Sequence, residues 1–138
     1  SSLKAIFSMF LDSSRAEETA VFAHMRNVIY GFAKRGNCVL VGHGSVIAAQ
    51  DLPNCIHLRL VAPYEFRVKK IMRVHNLTQK EAEQFIDLHQ QQRDDFIKRF
   101  TAGQLDDPLL YHLVINNSRL GVDAMAELVE EYMVMSRS

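Results

Sequence analysis

The chain has 138 residues, 48% of them hydrophobic, and its 16 basic and 16 acidic side chains cancel. This composition is that of one globular domain, and neither a broad nucleic-acid surface nor a membrane partner is expected, since no apolar run reaches the ~20 residues of a membrane helix. Cys38 and Cys55 lie in or beside predicted buried strands without metal-ligand spacing around them, which predicts reduced thiols and a cytoplasmic location.

Helical patterns come first in the chain. Leu3–Leu11 is predicted to form a short amphipathic helix, and a longer helix over Ala16–Arg35 is expected to begin after Asp12-Ser13-Ser14 and to end at Gly36. The apolar run Cys38–Val41 is typical of a strand that is buried on both faces.

Strands and helices alternate from there on. Further strands are predicted near residues 56–61 and 113–116. Between them lie a helix over Tyr64–Val74 and a long helix at about residues 78–100, which a capping box opens at Thr78, and a helix over Val122–Met135 closes the chain. This order predicts one α/β domain over residues 1–138, with a three-layer architecture in which helices flank a parallel sheet.

Three groups of residues carry a family resemblance. Gly42-His43-Gly44 ends the first strand, Ala62-Pro63 ends the second, and Arg67 lies one helical turn later. The long helix contains His89-Gln90-Gln91-Gln92-Arg93, and a specific segment follows with Asp106-Asp107-Pro108, Tyr111 and Ile115-Asn116 at characteristic spacings. With these residues the chain resembles the cytidylate kinase-like family of phosphate-loop nucleoside monophosphate kinases, from about Ala23 to about Val129.

The chain differs from that family at positions where relatives have groups that bind phosphate. The resemblance covers roughly the C-terminal two-thirds of the family's domain, and no G-x-x-x-x-G-K-[ST] phosphate loop occurs in the chain. In the family, the strand that carries this loop lies between the two strands matched by 38–42 and 56–61. His43 stands where relatives have an arginine, and Gln90 stands where the Asp-x-x-Arg motif of the lid helix has its aspartate.

The predicted site is an anion site near Gly42, His43, Gly44 and Ser45, at the carboxyl end of the first strand. The resemblance implies Arg67 and Arg93 as phosphate ligands, with Arg99 as a further candidate on the same helix as Arg93. The alternatives are that His43 only bonds a neighbouring loop, that Arg67 forms an ion pair with Glu65 or Asp95, and that the long helix presents a solvated charged face. No spacing supports a metal site.

Two functions follow as expectations. The first is a non-catalytic or degenerate kinase-like domain that binds a nucleotide or phosphate anion or serves assembly. The second is the acceptor side and lid of an active CMP-type kinase whose phosphate loop lies upstream, in which case ATP and magnesium would be required; no cofactor is expected in this chain alone. A homo-oligomer is expected, because a missing central strand would leave backbone groups unpaired.

Overall fold

The computed structural model describes residues 15–42 and 44–137. The predicted helix Leu3–Leu11 and the capping residues Asp12-Ser13-Ser14 lie outside the described residues. The chain divides into two compact units, the first ending at Cys55 and the second beginning at Ile56. The expectation of a single domain over residues 1–138 stays a prediction, and each unit is described by itself.

The first unit is built on helix α1, Arg15–Arg35, which includes the predicted helix Ala16–Arg35. Gly36 ends it in the left-handed conformation at φ 75°, and its N–H donates to the carbonyl oxygens of Phe32 and Ala33 at 3.1 and 3.2 Å. The expected C-terminus is therefore confirmed. The Asn54 amide donates to the Ala33 carbonyl at 2.9 Å, and the four-residue helix α2, Ser45–Ala48, packs on α1.

The predicted strand Cys38–Val41 is wrong. The segment is not part of a sheet, and the side chains of Val39 and Val41 are 89% and 82% exposed. A strand requires a neighbour that completes its backbone hydrogen bonds, and no described residue pairs with this segment. The composition of this segment does not indicate whether another segment is available to pair with it.

The second unit contains the sheet. Strands β1, Leu58–Val61, and β2, Leu113–Asn116, pair in parallel with Leu58 opposite Leu113. Hydrogen bonds also join the residues immediately before the two strands. The N–H of His57 donates to Nδ1 of His112 at 2.9 Å, and the N–H of His112 donates to the His57 carbonyl at 2.8 Å. The parallel α/β pattern is confirmed for these two strands, whereas the described sheet has two strands and not three.

A helical hairpin connects the two strands. Helix α3, Tyr64–His75, and helix α4, Gln79–Phe100, are joined through Asn76, which has a φ of 52°. The Thr78 hydroxyl accepts from the N–H of Glu81 at 3.2 Å, so the predicted start of α4 is confirmed. The two helices pack through a core of Val68, Ala82 and Ile86, which anchors their relative position.

The chain returns to β2 through two short 3₁₀ helices, Gln104–Asp106 and Pro108–Leu110, and ends in helix α5, Val122–Ser136. The Tyr111 hydroxyl donates to the Leu105 carbonyl at 2.6 Å and fixes the first 3₁₀ helix next to the start of β2. None of the described helices combines the length and the apolar character needed to cross a bilayer.

Candidate functional site

A cleft of about 430 Å³ opens in the second unit, between α3, α4 and the carboxyl end of β1. Ligands of parallel α/β folds gather at this end of the strands. Both helices and the residues after both strands contribute to its lining, which consists of Leu60, Val61, Ala62, Phe66, Arg67, Lys70, Ile71, Phe85, Ile86, His89, Gln90, Arg93 and Asn117.

The cleft lining is cationic. Arg67 and Lys70 lie three residues apart on α3, and Gln90 and Arg93 lie three residues apart on α4, so each pair shares one helix face. The lining contains three basic side chains of lysine and arginine and no carboxylate. An anion entering the cleft would therefore meet positive charge from both helices.

Arg67 is the most enclosed of these cations. Its N–H donates to the Pro63 carbonyl at 3.1 Å, which sets it in the first turn of α3, directly after β1. Its Nη1 donates to Oε1 of Gln90 at 3.3 Å, while its Nε is buried with no hydrogen-bond partner. The alternative for Arg67, an ion pair with Glu65 or Asp95, is not formed among the described residues. Because the Gln90 amide is neutral, this hydrogen bond does not compensate the charge of the guanidinium.

Arg93 is held differently, by a shared carboxylate outside the cleft lining. Oδ1 of Asp106 lies 3.4 Å from Nη1 of Arg93 and 3.3 Å from Nη2 of Arg59. Tyr111 lies close to the same cluster: burial raises the pKa of its hydroxyl, and the charges of Arg59 and Arg93 oppose that rise. Arg93 thus belongs to the cleft and to an ion-pair cluster at its edge.

The remaining wall of the cleft is apolar and partly aromatic. Phe66 and Phe85 line it, and the rings of Phe85 and His89 lie 4.2 Å apart between centroids. Flat aromatic surfaces of this kind pack well against planar heterocycles. The cleft therefore combines a cationic part with a surface suited to a ring.

The sequence-predicted site residues are only partly brought together. Arg67 and Arg93 both line the cleft, whereas Arg99, further along α4, does not. His43 lies outside the described residues. Gly42 and Gly44 have positive φ angles of 71° and 70° in the first unit.

The N–H of Ser45 already has an acceptor, since it donates to the Gly42 carbonyl at 3.1 Å. This amide serves the turn that precedes α2. The predicted anion site at Gly42–Ser45 stays a prediction, and the glycine conformations fit a tight turn as well as a site.

Sequence reasoning missed Lys70 and the role of Gln90. Lys70 follows Arg67 by three residues on a predicted helix, and that spacing was the available signal. Gln90 was visible only as a departure from a motif. The part of the chain that the structure describes holds no group of three His, Cys, Asp or Glu side chains arranged for a metal ion.

Comparison with protein families identifies a relationship for most of the chain. The family model described as the cytidylate kinase-like family matches residues 1–119. It starts earlier than Ala23 and ends before Val129, the limits expected from the motifs. No curated protein and no solved structure matches the chain.

Proposed function

Because this chain belongs to the cytidylate kinase-like family, we propose that its cleft binds the phosphate of a nucleoside monophosphate. We further propose that these 138 residues do not transfer phosphate by themselves. The chain is a nucleotide kinase-like domain. The proposal is that its described residues support binding of the acceptor nucleotide and do not support transfer of phosphate from a donor.

The observation that carries the proposal is the buried Nε of Arg67, which lacks a hydrogen-bond partner. A buried donor without an acceptor costs about 1–3 kcal/mol, and more when the group is charged. A phosphate oxygen would supply that acceptor once the Arg67 side chain turns toward the cleft that it lines, and planar guanidinium groups are well matched to phosphate. Lys70 and Arg93 lie in the same lining and would neutralise the remaining charge.

The apolar wall supports a nucleoside as the rest of the ligand. A cleft of about 430 Å³ falls in the range of about 300–1,000 Å³ that small-molecule sites occupy. Phe66 and Phe85 offer ring surfaces, so a planar base would contribute affinity that orthophosphate lacks.

Binding is tested by thermal unfolding of the chain with CMP, UMP, AMP, cytidine and orthophosphate. A ligand at 100 times its dissociation constant raises the free energy of unfolding by about 2.7 kcal/mol. We expect stabilisation by at least one monophosphate, a weaker effect of orthophosphate, and none from cytidine at the same concentration. The proposal would be overturned if, up to millimolar concentrations, none of the five compounds shifted the unfolding curve from that of the chain without ligand.

Catalysis requires a second set of groups around the donor phosphates. Phosphoryl transfer depends on positioning and electrostatic stabilisation of both phosphates, which a phosphate loop and Mg²⁺ provide. The sequence contains no such loop, and it has His43 at the corner where relatives have arginine. Histidine donates one hydrogen bond per nitrogen and cannot form the bidentate fork of an arginine.

We expect no transfer of phosphate from Mg²⁺-ATP to CMP by this chain. A coupled assay for ADP formation measures it, and His43→Arg is expected to remain equally inactive because the donor cradle is still absent. Turnover that co-purifies with the chain through successive columns and disappears in Arg67→Gln would contradict this expectation.

The second candidate function is the acceptor side and lid of an active CMP-type kinase. The observation that favours it is that Arg67 and Arg93, the two arginines shared with the family's motifs, line the same cleft. In that case ATP and magnesium would bind a phosphate loop upstream of this chain. Assay of the natural gene product, with its phosphate-loop lysine replaced as the control, separates the two functions.

Replacement of Gln90 with glutamate, which has the same length and shape, is expected to weaken CMP binding about tenfold, which corresponds to about 1.4 kcal/mol. The new carboxylate would lie at the position of the Gln90 Oε1 atom, 3.3 Å from Nη1 of Arg67. It would pair with that guanidinium and repel the phosphate. Isothermal titration measures the change, with the exposed Gln91→Glu as the matched control. Unchanged or tighter binding in Gln90→Glu alone would contradict the proposed contact between Arg67 and the phosphate.

A further inference from the structure

We propose that Asp106 competes with the bound phosphate for Arg93 and that Arg59 limits this competition. Asp106 would thereby be an internal regulator of anion affinity. The inference rests on the proposed function, because it concerns the affinity of the same cleft. It assigns an effect to two residues, Asp106 and Arg59, that do not line the cleft.

The geometry places one carboxylate between two guanidinium groups. Oδ1 of Asp106 lies 3.3 Å from Nη2 of Arg59 and 3.4 Å from Nη1 of Arg93. Arg59 also donates from Nη1 to the backbone carbonyl of Asp106 at 3.2 Å. Asp106 ends the 3₁₀ helix that follows Gly103, whose φ is 81°. This turn positions the backbone of Asp106, and the contacts with Arg59 and Arg93 position its carboxylate.

Arg93 is the exchangeable partner in this cluster. It has a single polar contact with Asp106, and its side chain is 42% exposed beside a carboxylate that is 55% exposed. Ion pairs of this exposure are weak, so a phosphate dianion can displace the carboxylate. While the pair is formed, it occupies an N–H group of Arg93 and lowers the positive potential at the cleft.

Arg59 binds Asp106 through more contacts than Arg93 does. Its side chain is only 27% exposed, it contacts both the carboxylate and the backbone of Asp106, and its guanidinium lies 6.0 Å from the Tyr111 ring centroid. Sharing the carboxylate with Arg59 weakens its hold on Arg93. Loss of Arg59 would therefore leave Asp106 to Arg93 alone and would reduce the affinity for the anion.

The experiment measures the dissociation constant of CMP by isothermal titration for single and double variants of the full chain. Asp106→Asn is expected to bind about fivefold tighter, and Asp95→Asn is the matched control. Asp95 carries the same charge on α4, is exposed, and follows Arg93 by two residues, so it faces another side of the helix. Arg59→Gln is expected to bind about threefold weaker.

Two double variants test whether these effects pass through the proposed contacts. In an Arg93→Gln background, Asp106→Asn should no longer change the affinity. In an Asp106→Asn background, Arg59→Gln should lose most of its effect. A general electrostatic role would leave both effects intact in the double variants, and that result would overturn the inference.

The outcomes separate this inference from the proposed function. If the unaltered chain binds CMP and Asp106→Asn matches Asp95→Asn, the competition is refuted while the binding function stands. If Asp106→Asn binds CMP and the unaltered chain does not, the competition is supported, because Asp106 would then prevent detectable binding. If neither binds any monophosphate or orthophosphate, both the binding function and the inference are overturned.

Discussion

Replacing Arg67 with glutamine is expected to weaken CMP binding about a hundredfold, or about 2.7 kcal/mol. Arg67 is the cation whose Nε is buried without a partner, at the carboxyl end of β1. Removing one member of a buried charged hydrogen-bonded pair costs about 2–5 kcal/mol, because the other member then lacks its partner. The dissociation constant from isothermal titration is the measurement.

Arg73→Gln is the matched control for this prediction. Arg73 lies on the same helix and is exposed, and it is not among the residues of the cleft lining. We expect its dissociation constant to stay within twofold of that of the unaltered chain. A similar loss in both variants would mean that the net charge of α3, and not a specific phosphate contact, determines the affinity.

Arg99→Gln separates the sequence-derived site from the cleft. Arg99 was expected to assist phosphate binding together with Arg93, but only Arg93 lines the cleft. Six residues separate them on α4, which is about 9 Å along the axis and a different helix face. The cleft therefore predicts a small effect for Arg99→Gln and a large one for Arg67→Gln.

Sequence reasoning succeeded where local signals act within a few residues. The capping pair Thr78 and Glu81 gave the start of α4, and Gly36 gave the end of α1. Arg67 was located by the family resemblance, which places it one helical turn after Ala62-Pro63. The capping signals need no such comparison. Such signals depend on backbone hydrogen bonding within one helical turn, so a single sequence contains them.

It failed where the structure depends on distant partners. Cys38–Val41 has the composition of a buried strand, yet pairing with another segment decides whether such a run joins a sheet. The contact between Asp106 and Arg59 is non-local in the same way, because the two residues lie 47 positions apart in the chain. No periodicity or motif in a single sequence reports a contact of that kind.

Replacing Ile86 with alanine is expected to lower the free energy of unfolding of the second unit by about 2–4 kcal/mol. The Ile86 side chain is only 6% exposed and packs with Val68 and Ala82, where α3 and α4 meet. Truncation removes buried methyl groups and leaves a cavity that the two helices fill only in part. A loss of this size is a large fraction of the 5–15 kcal/mol that stabilises a typical domain.

A size series and a surface control make this prediction specific. Ile86→Val should cost only about 0.5–1.5 kcal/mol, and Leu88→Ala, which truncates a side chain that is 55% exposed on the same helix, should cost less than about 0.5 kcal/mol. Urea unfolding followed by circular dichroism gives the three values. Because the same packing holds Arg67 and Arg93 across one cleft, Ile86→Ala should also weaken CMP binding. Equal stability of Ile86→Ala and Leu88→Ala would refute the assigned packing of α3 on α4, and with it the cleft that this packing forms.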